Sequence, residues 1–241
     1  MARFLFIHGS CHGAWCWRDL LPLLQEEGHE ARAIDLPAHG QDVTPAAEVT
    51  LDLYADAILA AIDAPAILVG HSAAGYPITL AAERAPAKIA QLIYLCAYVP
   101  APGRSMIDLR RIGPRQPLAG VFRRDPSGLT YSVDTVLAGE AFYHDCTEEI
   151  LCYSLPRLCP EPIAPQSTPL PPLTHWGDIP KHYILCENDQ TIAPEYQAAM
   201  TADWPDADIS RLPSGHSPFF SAPEMLARRL SYIASEESRM R

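Results

Sequence analysis

Ser72 stands where an apolar run, Ile67-Leu68-Val69-Gly70-His71, gives way to small residues, Ala73-Ala74-Gly75. This order reads as a buried strand ending at Gly70, a sharp turn at Ser72 and a helix leaving from Ala73. Such a corner holds a hydroxyl up, under backbone strain, at a helix N-terminus, where a nucleophile is useful. Small residues are needed at Gly70 and Ala74 because the strand and helix backbones cross closely there. The last position of the G-x-S-x-G pattern is Ala74 rather than glycine. By itself the pentapeptide also describes an ordinary strand-to-helix turn capped by serine.

A serine hydroxyl is unreactive at its own pKa, so an imidazole must take its proton and a carboxylate must orient that imidazole. Of nine histidines, His216 is the candidate base: it lies in the small-residue loop Pro213-Ser214-Gly215-His216-Ser217-Pro218, after the last apolar run. Asp189 ends the apolar stretch Tyr183-Ile184-Leu185-Cys186 and precedes His216, giving the chain order Ser, Asp, His. Glu187 is the second candidate acid, and Asp35 reads better as a turn-maker before Leu36-Pro37. His71 is expected to point into packing, and His8 to hold its loop by hydrogen bonds. His8 and His12 are four apart, but a metal site there lacks a third ligand. His29, His39, His144, His175 and His182 are expected to face solvent or bond locally. For an oxyanion hole, the Ala73 amide at the helix start and the Ser10 amide in the loop after the first strand are the expected donors, with Gly9 letting that loop come close.

Strand-like and helix-like segments alternate to position these residues. Phe4–Ile7, Ala31–Leu36, Ile67–Gly70 and Ile89–Val99 read as strands, and Trp15–Glu27, Leu51–Ile62 and the run after Ser72 as helices. This alternation predicts an α/β chain with a mostly parallel central sheet and helices on both faces, its site at the carboxyl ends of the strands. Between 100 and 177 the alternation fails and prolines crowd in, yet Phe122, Tyr131, Phe142, Tyr143, Tyr153 and Trp176 supply too much apolar surface for a linker. The expected organisation is a core of 1–99 and 178–241 with a cap (lid) inserted at 100–177.

At 241 residues one large domain suffices, and a net charge of −11 without a basic run disfavours nucleic acid or an anionic membrane as partner. The absence of a leader-like or membrane-length apolar run makes the cytoplasm the expected compartment. Seven scattered cysteines without a C-x-x-C spacing indicate neither a disulfide framework nor a zinc knuckle, and are expected to be mostly buried thiols.

The segments His8-Gly9-Ser10-Cys11-His12-Gly13-Ala14-Trp15-Cys16-Trp17, Leu21-Pro22-Leu23-Leu24, Gly28-His29, Ala33-Ile34-Asp35-Leu36, Gly70-His71-Ser72, Tyr183 to Asp189 with Ile192, and Gly215-His216 resemble the α/β-hydrolase branch of plant methyl esterases, salicylate-binding esterases and hydroxynitrile lyases, with bacterial esterase relatives. The resemblance covers both core segments and the cap only loosely. It implies an α/β-hydrolase fold, Ser72 as nucleophile, His216 as base, Asp189 as acid, and the amides of Ser10 and Ala73 as the oxyanion hole. Hydroxynitrile lyases of this branch carry threonine where Gly9 stands and lysine where Ser217 stands. The sequence therefore favours ester hydrolysis over cyanohydrin cleavage. The expected activity is hydrolysis of a small-molecule carboxylic ester with no metal or organic cofactor, and the sequence leaves a homodimer open. Gly9, Trp15, Tyr98, Trp176, Ser217 and Phe219 are the candidate pocket residues. Amide, carbamate or thioester cleavage, or ligand binding without catalysis, remain the rival readings.

Overall fold

The computed structural model describes residues 1–240. Six parallel strands form its central sheet: β1 (Arg3–Ile7), β2 (Glu30–Ile34), β3 (Ala66–His71), β4 (Ile89–Leu95), and, after the insertion, β8 (Lys181–Cys186) and β9 (Ile209–Leu212). Their order is β2-β1-β3-β4-β8-β9. The path runs from β1 outward to β2 and then back across β1 to β3. The loops leaving β1 and β3 therefore diverge and open a crevice at the carboxyl edge of the sheet.

Strand periodicity divides each strand between two cores. Leu5, Ile7, Leu68, Leu92, Tyr94, Tyr183 and Leu185 face one side, packed with α2 (Leu51–Ala60) and α3 (Gly75–Arg84). Phe4, Phe6, Ile67, Val69, Ile93, Leu95, Ile184 and Cys186 face the other, with α1 (Leu21–Glu26) and α10 (Pro223–Met240). Burial on both sides explains why these strands read as continuous apolar runs. Thr50 caps α2, accepting the Leu53 N–H at 3.0 Å. The predicted helix over 15–27 is instead a 3₁₀ turn at Ala14–Trp17 followed by α1, because Pro22 suits the first turn of a helix and not its middle.

Between β4 and β8 the chain leaves the sheet. It builds α4 (Met106–Ile112), an antiparallel three-stranded sheet of β5 (Phe122–Arg124), β6 (Thr130–Val133) and β7 (Glu161–Pro162), and the helices α5 (Thr135–Tyr143), α6 (Glu148–Ser154) and α7 (Ile163–Ser167). α8 (Pro194–Met200) and α9 (Pro218–Ser221) complete the elements. All seven cysteines are free, and four of them (Cys11, Cys16, Cys96 and Cys186) are buried. No helix among the described residues is long and apolar enough to cross a membrane.

Close approach at the β3–α3 corner involves one residue more than the pentapeptide predicts. A Cβ at Gly70 would meet Ile78 Cδ1 at 2.7 Å and the Ala74 carbonyl at 3.0 Å, while one at Gly75 would collide with the Tyr98 carbonyl oxygen. A backbone carbonyl cannot swing aside as a side chain can. Gly75→Ala is expected to lower unfolding free energy by about 3 kcal/mol, read from urea denaturation, since overpacking against fixed backbone sits at the upper end of the usual range. An unchanged midpoint would contradict this account of the corner.

Candidate active site

Among the described residues four non-glycine positions have left-handed backbone: Ser72 (φ 56°) and Cys96 (φ 35°) directly follow β3 and β4, while Cys11 (φ 63°) and Ala38 (φ 65°) lie in the loops after β1 and β2. Such strain persists where surrounding structure over-determines it. At Ser72 the hold is visible, because its carbonyl accepts the Tyr98 N–H at 3.0 Å. Ser72 is 7% exposed.

Two small cavities flank the corner and share Ser10 and Met106. The first, with about 330 Å³ of empty space, is walled by Gly9, Ser10, Ala73, Ala74, Leu36, Leu51, Tyr54, Tyr76 and Pro77, with His39, Glu161 and Gln166 as its polar corner. The second, with about 370 Å³, is walled by Ser72, His216, His12, His71, Tyr98, Arg110, Phe122, Tyr131 and Phe142. Ser72 and His216 thus face one space. Among the described residues no hydrogen bond joins hydroxyl and imidazole, a contact that commonly tightens only with substrate bound.

His216 Nδ1 meets Asp189 Oδ2 at 2.8 Å, with both side chains almost wholly buried. The carboxylate is saturated by donors: Oδ1 accepts the amides of Thr191 (2.6 Å) and Ile192 (2.9 Å), and Oδ2 also accepts Gln197 Nε2 (2.9 Å). Gln197 is locked in turn, its Oε1 accepting the Cys186 amide and its Nε2 donating to the Ile192 carbonyl. Glu187, the other candidate acid, is exposed at the rim near Arg211.

His71 points into packing, as expected. It donates through Nε2 to the His216 carbonyl at 2.8 Å, and Cys96 Sγ leans on the same carbonyl at 3.5 Å. Among the described residues His71, Cys96 and His216 form the one group whose potential ligand atoms lie within 4.8 Å of one another. Their shared contact with the His216 backbone marks them as a brace for its loop.

The loop after β1 is fastened mainly from the inserted segment. His8 Nδ1 contacts the Gly9 carbonyl at 2.9 Å and Nε2 accepts the Leu36 amide at 3.1 Å, so this imidazole is neutral, and burial pushes its pKa well down. Gln166 Nε2 donates to Ser10 Oγ at 2.6 Å and itself accepts from the Tyr131 hydroxyl. Glu161 Oε2 accepts the Cys11 amide at 2.7 Å, and the Cys11 carbonyl accepts the Cys159 amide at 3.0 Å. His12 bonds the Ser10 carbonyl at 2.7 Å and the Tyr143 hydroxyl at 2.6 Å; burial lowers its pKa to about 4.

His39, expected at the surface or in local bonds, is instead buried and paired with Glu161 at 2.8 Å, because the insertion folds back over it. Burial alone would discharge both groups. The Glu161 carboxylate outweighs it at His39 and raises that pKa, while the His39 charge and hydrogen bonds hold Glu161 below the usual carboxylate value. The histidine's share of stability is complete below its ordinary 6.5 and is lost as pH rises through the raised folded value; the carboxylate's is complete above its ordinary 4.5 and is lost as pH falls through the lowered one. Glu161→Gln is expected to cost about 3 kcal/mol, the usual size for breaking a buried pair. The loss should be largest between pH 4.5 and 6.5 and shrink outside that window, as read from urea midpoints across pH. A pH-independent loss would contradict the ion pair.

Gly9 and Tyr98 line the cavities, but the other candidate pocket residues do not, and these expectations are corrected. Trp15 stacks on His12 with ring centroids 5.4 Å apart and so stands behind the wall. Trp176 bonds the Tyr94 hydroxyl at 2.8 Å and packs near Trp204, away from the crevice. Phe219 is buried against Trp17 and His71, and Ser217 is wholly buried beside it. Ser217 and Phe219 adjoin His216 along the chain, but α9 turns inward directly after it, while the rings of Trp15 and Trp176 find partners elsewhere. His39, Glu161, Gln166, Gln197 and Arg110 were not identified from the sequence, which carries no local pattern for them.

A sequence model described as the alpha/beta hydrolase family matches residues 4–229. The chain is 30% identical to Methylesterase 10 of Arabidopsis thaliana over 254 residues, covering 97% of this chain and 92% of that protein. It is 28% identical to Esterase PIR7B of Oryza sativa subsp. japonica, covering 97% and 96%. Among solved structures, a pyrethroid hydrolase from Sphingobium faniae JZ-2 superposes with a TM-score of 0.86 at 27% identity, covering 97% of each chain.

Proposed function

The chain belongs to the alpha/beta hydrolase family and is a carboxylic-ester hydrolase, and from that premise we propose that it cleaves small esters through an acyl-enzyme on Ser72. The observation that carries this reading is the buried His216–Asp189 pair opening onto the cavity that also holds the strained serine. His216 Nε2 takes the Ser72 proton as Oγ attacks the ester carbon, and Asp189 stabilises the imidazolium through Nδ1–H. The tetrahedral oxyanion is met by the backbone N–H groups of Ser10 and Ala73; supporting this, Ser10 lines both cavities and Ala73 the one on the Gly9 side of the corner.

A close packing requirement fits the glycine at position 9. A Cβ there would lie 2.9 Å from both Ser72 Cβ and His71 Nδ1, in the space an attacked carbonyl must enter. The imidazolium then protonates the leaving alcohol, and a water activated by neutral His216 releases the acid. The segment 100–177 acts as the cap, excluding water and, through Glu161, Gln166 and Tyr143, holding the oxyanion loop.

Incubation with a fluorophosphonate followed by peptide mass spectrometry is expected to place one adduct on Ser72, with parallel loss of p-nitrophenyl acetate turnover. A panel pairing aryl esters with anilides should show ester cleavage dominating. Labelling elsewhere, or anilide cleavage matching ester cleavage, would overturn the reading.

A further inference from the structure

We propose that the ester this enzyme takes carries a carboxylate, held by Arg110 in the chamber that contains Ser72. The inference rests on the ester-hydrolase reading and names its substrate class. The chain has a net charge of −11, yet residues 100–124 carry six arginines against a single acid, Asp108. Most members of this basic run are not directed at the nucleophile. Arg115 pairs with Glu195 and Arg123 with Asp134, each at 2.6 Å.

Arg110 differs from them. It is half-buried, forms part of the wall that holds Ser72 and His216, and also lines the two surface grooves adjoining that chamber. Among the described residues no carboxylate pairs with it, nor with Arg104, Arg111 or Arg124, but those three are exposed and stand outside the chamber. The nearest acid along the chain, Asp108, is committed to Ser105, accepting from its amide at 3.0 Å and its hydroxyl at 2.7 Å. The guanidinium lies 4.8 Å from the Phe122 ring centroid and 5.9 Å from that of Tyr131.

Among the described residues no hydrogen bond engages the Arg110 guanidinium, whose N–H donors form a fork that matches a carboxylate with two parallel bonds. Walls of Phe122, Tyr131, Phe142 and Leu118 lower the local dielectric and strengthen the attraction for an anion. A positive group held at a catalytic cavity without a counter-charge costs desolvation that an anionic ligand would offset. The overall negative charge works against anionic substrates at long range, which gives a local cation at the chamber its selective value.

The test uses esters matched in shape and differing in charge. Monomethyl terephthalate against methyl 4-carbamoylbenzoate places the carboxylate in the acyl part; 4-acetoxybenzoate against 4-acetoxybenzamide places it in the alcohol part. The carboxylate member of at least one pair should show a kcat/KM about ten-fold higher, the scale of one charge-assisted bond at a partly exposed site. Arg110→Gln should collapse that ratio to within about two-fold, and Arg110→Lys should restore part of it, because a point charge lacks the fork. Raising NaCl from about 0.02 to about 0.5 M should shrink the wild-type ratio through screening, which tests the idea even if the Gln variant fails to fold. Turnover of p-nitrophenyl acetate reports on the hydrolase reading separately. With that turnover present, wild-type ratios at or below one in both pairs, or a ratio that neither salt nor Arg110→Gln changes, would overturn the proposal.

Discussion

Replacing Ser72 by alanine is expected to lower ester turnover by about 10⁴-fold or more, because removal of a nucleophile in a serine triad leaves only the rate supplied by binding and oxyanion stabilisation. The substitution removes one oxygen and keeps the Cβ, so the left-handed backbone at φ 56° is no more strained than before, and the corner should fold as in the wild type. The Tyr98 N–H to residue 72 carbonyl bond uses no side-chain atom and survives. Thermal unfolding should therefore stay close to that of the wild type while kcat falls and the fluorophosphonate adduct disappears. An Ser72→Ala protein that still turns over p-nitrophenyl acetate within ten-fold of the wild type would show that another group performs the chemistry.

Asp189→Asn is expected to lower kcat by about 10³–10⁴-fold, the cost of the wrong imidazole tautomer in a triad. The direction of the effect follows from the donors around the carboxylate. Oδ1 receives two backbone N–H groups, from Thr191 and Ile192, which cannot rotate away, so the asparagine oxygen must occupy that place. Its NH₂ group then faces His216 Nδ1 and Gln197 Nε2. A donor at Nδ1 forces the imidazole proton onto Nε2, the atom that must be bare to accept from Ser72. Gln197 cannot turn to relieve the resulting donor–donor contact, since both ends of its amide are engaged elsewhere. The variant should be somewhat less stable as well as slow. Loss of activity without loss of fold, checked by circular dichroism and the pH dependence of kcat, is the expected outcome; activity within ten-fold of wild type would remove Asp189 from the relay.

Gln197 and Glu161 show what kind of residue escapes sequence reading. Neither belongs to a motif, and a glutamine on a helix or a glutamate among prolines is ordinarily a solvated side chain. Each becomes important through contacts made only after folding. Glu161 meets the Cys11 amide across 150 residues, Gln166 meets Ser10 across 156, and Tyr143 meets His12 across 131. By contrast, the strand–serine–helix corner, the loop after β1 and the loops bearing Asp189 and His216 are short local patterns whose backbone demands show in the residues that fill them. Three of the four aromatic pocket candidates lie elsewhere for a related reason: Trp15, Trp176 and Phe219 signal apolar packing, and that alone does not say against what.

Amino-acid order by itself determined the alternating parallel architecture, the strained serine corner and the succession of candidate acid and base, because strand periodicity, glycine at close approaches and loop composition act over a few residues. The tertiary structure showed Asp189 rather than Glu187 against the imidazole, how the inserted segment grips the loop after β1, and which arginine lines the chamber of Ser72 without a carboxylate partner. The grip on that loop depends on side chains more than a hundred positions apart meeting in one crevice, and all three outcomes depend on how each hydrogen-bonding group there is already occupied. No local pattern can encode that occupancy.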